Sequence, residues 1–143
     1  MDPLALDRQV CFALAVASRT VIGVYRPVLD ELGLTHPQYL VMLALWERSP
    51  RTSRDISDAL MLEPATLTPL LKRLQAAGYI FMARSDSDGR ALAITLTVEG
   101  RALRKRALDV PGTIVDKLGM PVAELERIRD DLSTLIAAAA SAR

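Results

Sequence analysis

The sequence predicts a mainly α-helical domain that carries one small β-hairpin. Half of the 143 residues are hydrophobic but only 4% are aromatic, and this Ala- and Leu-rich composition favours helices over a sandwich or barrel. Apolar residues recur at three- and four-residue steps over most of the length, the period of an amphipathic helix. One segment, residues 79–97, instead alternates with period two around an Asp-Gly pair, the pattern of a hairpin. The length suits one domain.

Each element has its own signal. Asp7 is placed to cap a helix from Arg8 to about Leu32, with Val10, Leu14, Ala17, Val21, Val24 and Val28 on its apolar face. Pro27 predicts a kink within it, and Gly33 its stop. Thr35 as cap and Pro37 in the first turn open a second helix. Tyr39, Leu40, Leu43, Leu45 and Trp46 supply its apolar face, to about Arg48, and Ser49-Pro50 is a turn. Thr52 or Ser53 caps a short helix over 53–60. In the helix over 63–77, Leu67, Leu70, Leu71 and Leu74 form one buried stripe. Pro69 removes a backbone donor there, but the stripe runs through it unshifted. Gly78 ends that helix. Tyr79–Arg84 and residues 90–97 form a two-stranded hairpin with Asp88-Gly89 at its tip. A further helix runs from Thr97 to about Leu108 and is interrupted at Pro111-Gly112. Residues 121–141 form the last, with Val122, Leu125, Ile128, Leu132, Leu135 and Ile136 on one side.

Charge and cysteine content bound the function. The net charge of +1 argues nothing by itself, but residues 63–106 hold eight basic side chains against four acidic, and both flanks hold more acidic than basic ones. Such a local basic stretch is either a footprint for phosphate or a solvated face. The N-terminus lacks the basic-then-apolar order of a signal peptide. The longest apolar stretches, near 12–17 and 135–140, are too short to span a bilayer. One cysteine makes no internal disulfide. The expectation is a cytoplasmic protein with no membrane partner.

The order helix 37–48, helix 53–60, helix 63–77, hairpin 79–96 is that of a winged helix-turn-helix. A helix with a buried leucine stripe and an outer face of hydroxyl and cationic groups suits a major groove, where those groups meet base edges and phosphates. Thr66, Thr68, Pro69, Lys72 and Arg73 are the candidates on that helix. Arg84 and Arg90 would reach the adjacent minor groove, with Asp88 orienting Arg90. Ser53, at the start of the preceding helix, is assigned to the DNA backbone.

These residues also carry a resemblance. "SDSDGRALAITLTVEGRAL" is similar to the wing signature of MarR-type transcriptional regulators: an acidic turn, Asp-x-Arg, an alternating strand, Leu-Thr and a downstream Gly. Asp86, Asp88, Arg90, Leu96, Thr97 and Gly100 carry it here. "TLTPLLKRL", "YRPVLDELGLTHPQYLVMLALWE", "VCFALAVASR" and "DVPGTIV" narrow the resemblance to the organic-hydroperoxide-sensing, OhrR-type subgroup in its single-cysteine form. The resemblance runs from about Val10 to Ile136. It implies an obligate homodimer, intertwined through its first and last helices, whose wings straddle a palindromic operator. Residues 1–34 and 98–143 would dimerise and 37–97 would bind double-stranded DNA.

Cys11 is the only cysteine. A free Cys in an apolar helix is commonly inert core, yet a helix N-terminus favours thiolate, the form that attacks peroxide. The resemblance assigns the sensing sulfur to Cys11. Organic hydroperoxide would oxidise it to sulfenic acid, a small external thiol would cap it, and the operator would be released. The resemblance also implies thiolate-stabilising roles for Tyr25 and for His36, which stands where the subgroup has a tyrosine. Ala15 occupies a third, otherwise aromatic, position. Tyr39 is expected to pack. No cofactor or metal is implied. The rival reading is a repressor released by a small aromatic ligand, with Cys11 uninvolved. An enzyme using Cys11 and His36 as nucleophile and base lacks an acidic orienter, an oxyanion loop and a glycine elbow.

Overall fold

The structure, a computed structural model, describes residues 1–84 and 91–143. The chain folds as two compact units, Met1–Leu108 and Asp109–Arg143.

In the first unit a short 3-10 turn, Leu6–Arg8, precedes α1 (Val10–Asp30). Asp7 lies in that turn and caps nothing; Gln9 stands at the N-cap of α1, without a side-chain cap. The Gln9 side chain instead donates to the carbonyls of Pro3 and Ala5, at 2.8 and 3.0 Å. α1 continues through Pro27. Gly33, in the left-handed region at φ 72°, turns the chain so that the Leu34 amide bonds back to the Leu29 carbonyl. By length and composition α1 is long and apolar enough to cross a membrane. This corrects the reading from uninterrupted apolar runs, which Ser18, Arg19 and Thr20 cut short.

α2 (His36–Glu47) opens on a capping box: Thr35 accepts from the Gln38 amide while the Gln38 side chain accepts from the Thr35 amide. Its buried residues are Tyr39, Val41, Met42, Ala44 and Leu45, whereas Leu43 is exposed. The expected face was therefore partly wrong. A helix apolar at nearly every position carries no periodicity to show its orientation, and α2 packs centrally against α1, α3 and α4.

β1 (Arg51–Thr52) leads into α3 (Ser53–Leu60), capped by Thr52. α4 (Pro64–Ala76) runs through Pro69 and buries Leu67, Leu70, Leu71 and Leu74, as the stripe predicts. β2 (Ile80–Arg84) and β3 (Leu92–Leu96) pair antiparallel, Ile80 opposite Leu96 and Arg84 opposite Leu92. The expected two-stranded hairpin is in fact part of a three-stranded sheet of order β1-β3-β2. The predicted tip, Asp88-Gly89, with Asp86 and Arg90, lies outside the described residues. α5 (Val98–Ala107) is capped by Thr97.

In the second unit Asp109 precedes α6 (Val110–Leu118), and Gly119 ends it at φ 65°. Pro111 and Gly112 lie in the first turn of α6 and interrupt no helix, because a proline there meets no required donor. α7 (Val122–Ser141) has no buried residue.

Candidate functional site

Two groups of the expected residues can be located. The first lies on the helix-turn-helix. Met61, left-handed at φ 56°, joins α3 to α4, and the Leu62 amide donates to the Ser57 carbonyl at 3.0 Å. This turn sets the crossing of the two helices. With the leucine stripe inward, Thr66, Thr68, Pro69, Lys72 and Arg73 are all exposed on the opposite face. The Thr68 hydroxyl donates to the Pro64 carbonyl at 3.0 Å, so it is left as an acceptor toward a ligand. Pro69 has no amide to give the Ala65 carbonyl, and the exposed position leaves that oxygen to solvent. Ser53 begins α3 beside the cleft between α3 and α4, about 590 Å³ in volume. Arg54 and Thr68 line the same cleft. Arg54 is an exposed cation that the pattern reading passed over, although it adjoins Ser53 at a helix start. Arg84 is exposed at the end of β2. Asp88 and Arg90 lie outside the described residues.

The second group surrounds the start of α2. Tyr25 of α1 meets His36 edge-on, ring centroids 5.4 Å apart and planes at 69°. Tyr39 lies 6.1 Å from Tyr25, tilted, and is buried, in the packing role expected. Burial pulls the His36 imidazole below its ordinary pKa. Burial, and then the neighbouring Tyr25, push the Tyr39 phenol up. Cys11, the second residue of α1, is exposed and stands apart from these rings. Tyr25 lies fourteen residue steps further along the unbroken helix, a rise of about 21 Å. They also place the two side chains about 40° from a whole number of turns, on one face. The structure thus brings Tyr25 and His36 together and leaves the sulfur at the far end of the same helix face.

A third feature joins the two regions. Arg51, only 8% exposed in its side chain, donates from Nε to Asp55 Oδ2 at 2.7 Å and from Nη1 to the Ala44 carbonyl at 2.9 Å. Arg48 reaches the same Asp55 oxygen at 2.7 Å. The Arg51 hydrogen bond, with the charges of both arginines, holds the Asp55 carboxyl below its ordinary pKa. Sequence reasoning missed this pair because Arg51 precedes the helix on which Asp55 sits.

Residues 23–106 match the family described as transcriptional regulator SarA/Rot. An organic hydroperoxide resistance transcriptional regulator of Bacillus subtilis is 39% identical over 135 residues, 94% of this chain and 92% of the relative. The HTH-type transcriptional regulator TtmR of Methylorubrum extorquens is 40% identical over 134 residues, 94% of this chain and 69% of the relative. Among solved structures, reduced AbfR bound to DNA superposes with a TM-score of 0.78 at 34% identity, covering 92% of each chain. AbfR, from Staphylococcus epidermidis, has also been solved overoxidized on DNA and in a disulfide-formed state. The match over nearly the whole length, on a helix-turn-helix followed by a sheet, places the chain among the MarR-type winged-helix transcriptional regulators, in the organic-hydroperoxide-resistance subgroup.

Proposed function

We propose that this protein is a homodimeric repressor that grips a palindromic operator and releases it when an organic hydroperoxide oxidises Cys11. α4 enters the major groove with Thr66, Thr68, Pro69, Lys72 and Arg73 outward. Ser53 and Arg54 meet the backbone, and Arg84 and Arg90, the latter oriented by Asp88, serve the wing. Residues 37–97 do the reading, and 1–34 with 98–143 the pairing. Such a protein works on double-stranded DNA, in the cytoplasm.

One observation carries the sensing half: the sulfur and the ring pair occupy opposite ends of one helix face. Cys11 cannot meet Tyr25 of its own chain. A second copy of α1 crossing antiparallel near Ser18 brings each sulfur to the partner's Tyr25 and the partner's His36, and a two-fold axis makes both meetings identical. The exposed apolar residues Val10, Phe12, Leu14 and Val21 on α1, and Ile128, Leu132, Leu135 and Ile136 on α7, supply the surface for that pairing.

The thiolate attacks one peroxide oxygen, the S–O bond forms as O–O breaks, and the alcohol leaves with the proton. A small external thiol condenses with the sulfenic acid, forming S–S and releasing water. The added group wedges the subunit seam and changes the spacing of the two reading helices, which must match the operator half-sites.

A gel-shift on an inverted-repeat operator, with and without cumene hydroperoxide and a small thiol, tests this. Wild type should release the DNA on oxidation, and Cys11→Ser should hold it. Release by Cys11→Ser equal to wild type would assign control elsewhere, a small ligand included.

A further inference from the structure

The two ends of α2 do different things. Its first residue, His36, packs on Tyr25. Its last turn is fastened to three other parts of the fold. Arg51 bonds the Ala44 carbonyl there and Asp55 in the first turn of α3. Trp46 Nε1 donates to the Gly100 carbonyl of α5 at 2.9 Å. Ser49 Oγ, just beyond the helix, accepts from the Leu96 amide of β3 at 3.1 Å. Between its ends α2 is twelve residues long, a rod of about 18 Å, and its middle is buried. A buried rod moves as a unit, because close packing resists local bending.

We propose that Arg51 is the positioning residue that passes a displacement of α2 to the reading helices, by pinning the last turn of α2 to the first turn of α3. The inference rests on the reading above that the His36 end is the sensing end. α3 continues through the Met61 turn into α4, so a tilt of α3 is a tilt of the groove-reading face. The tie has a direction. The guanidinium is planar and meets one carbonyl and one carboxylate with different nitrogens, which fixes angle as well as distance. A lysine carries one donor centre and fixes distance only. Arg48 meets Ala44 only through its own backbone amide, the cap bond of α2, and its side chain holds Asp55 from a solvent-exposed position without reaching that carbonyl, so the Arg48 side chain does not duplicate the joint.

The test measures coupling, the ratio of operator affinity in reduced protein to that in protein oxidised by cumene hydroperoxide and capped by a small thiol. Full-length wild type, Arg51→Lys and Asp55→Asn are compared by fluorescence anisotropy, with the extent of Cys11 oxidation read by mass spectrometry and folding by circular dichroism. A residue that only stabilises the fold would leave this ratio alone. Both variants should oxidise at Cys11 to the wild-type extent and lose at least about fivefold of the ratio, about 1 kcal/mol of coupling. If Arg51→Lys fails to fold, Asp55→Asn decides when read against Arg48→Ala, which removes only the exposed tie to Asp55 and should keep the wild-type ratio. A ratio within twofold of wild type in the folded variants overturns the inference. A wild type that shows no response to oxidation overturns the sensing reading instead.

Discussion

His36 is the chain's sole histidine, which makes its protonation separable from all others near neutrality. Burial disfavours its charged form, so its folded pKa lies below the unfolded value near 6.5. The folded state then binds fewer protons than the unfolded state. This contribution to stability is complete above about pH 6.5 and is lost as pH falls through that value toward the folded pKa. Thermal melts at fixed concentration from about pH 7.5 to about 5.5, above the carboxylate range, should show a falling midpoint for wild type and a flatter profile for His36→Phe. A wild-type midpoint that rises on acidification would mean that the imidazolium finds a partner, and would reverse the sign. The nearness of His36 to Tyr25 was not legible from spacing; it followed only from the resemblance. The distance of Cys11 from Tyr25 was legible, since fourteen residues in one helix fix it. Which way each side chain bonds was not, as Thr68 shows by donating to Pro64.

At the level of elements, the wing is seated by a joint around Gly100. Thr97 caps α5 by accepting from the Gly100 amide at 3.0 Å and donates its own hydroxyl to the Gly78 carbonyl at 2.6 Å. The Gly100 carbonyl receives Trp46. A Cβ at this position would lie 2.1 Å from the Tyr79 carbonyl oxygen. Leu-Thr followed by a downstream glycine is thus a packing requirement where α5 crosses the strand start. Gly100→Ala should cost about 3 kcal/mol, an overpacking penalty against backbone, read as a lower denaturant midpoint at unchanged slope. A midpoint equal to wild type would contradict that close approach. Elements with a strong period were legible: α3 over 53–60 and the α4 stripe stand as expected. β1 was not, because two residues hold no alternation and pair only once β3 is in place. α6 was not, because Pro-Gly reads as a break wherever its position in a helix is unknown.

For the whole molecule, the apolar faces expected on the first and last helices exist and are uncovered within the chain. Four large apolar residues of α1 and five of α7 are exposed. Sedimentation should therefore find a dimer at micromolar concentration. Leu135→Asp, placing a carboxylate on the α7 stripe, should dissociate or unfold it and abolish operator binding, whereas Lys72→Ala should weaken binding with the dimer intact. A monomeric wild type that still binds the operator would refute the pairing. α7 holds a further implication. Twenty helical residues with none buried make few of the tertiary contacts from which a helix draws most of its stability. The ordering of α7 and the assembly of the dimer then become one concentration-dependent event. A fall in concentration below the dimer's dissociation constant would then loosen α7 as it parts the subunits, so the amount of this protein in the cell would set how much of it can hold an operator.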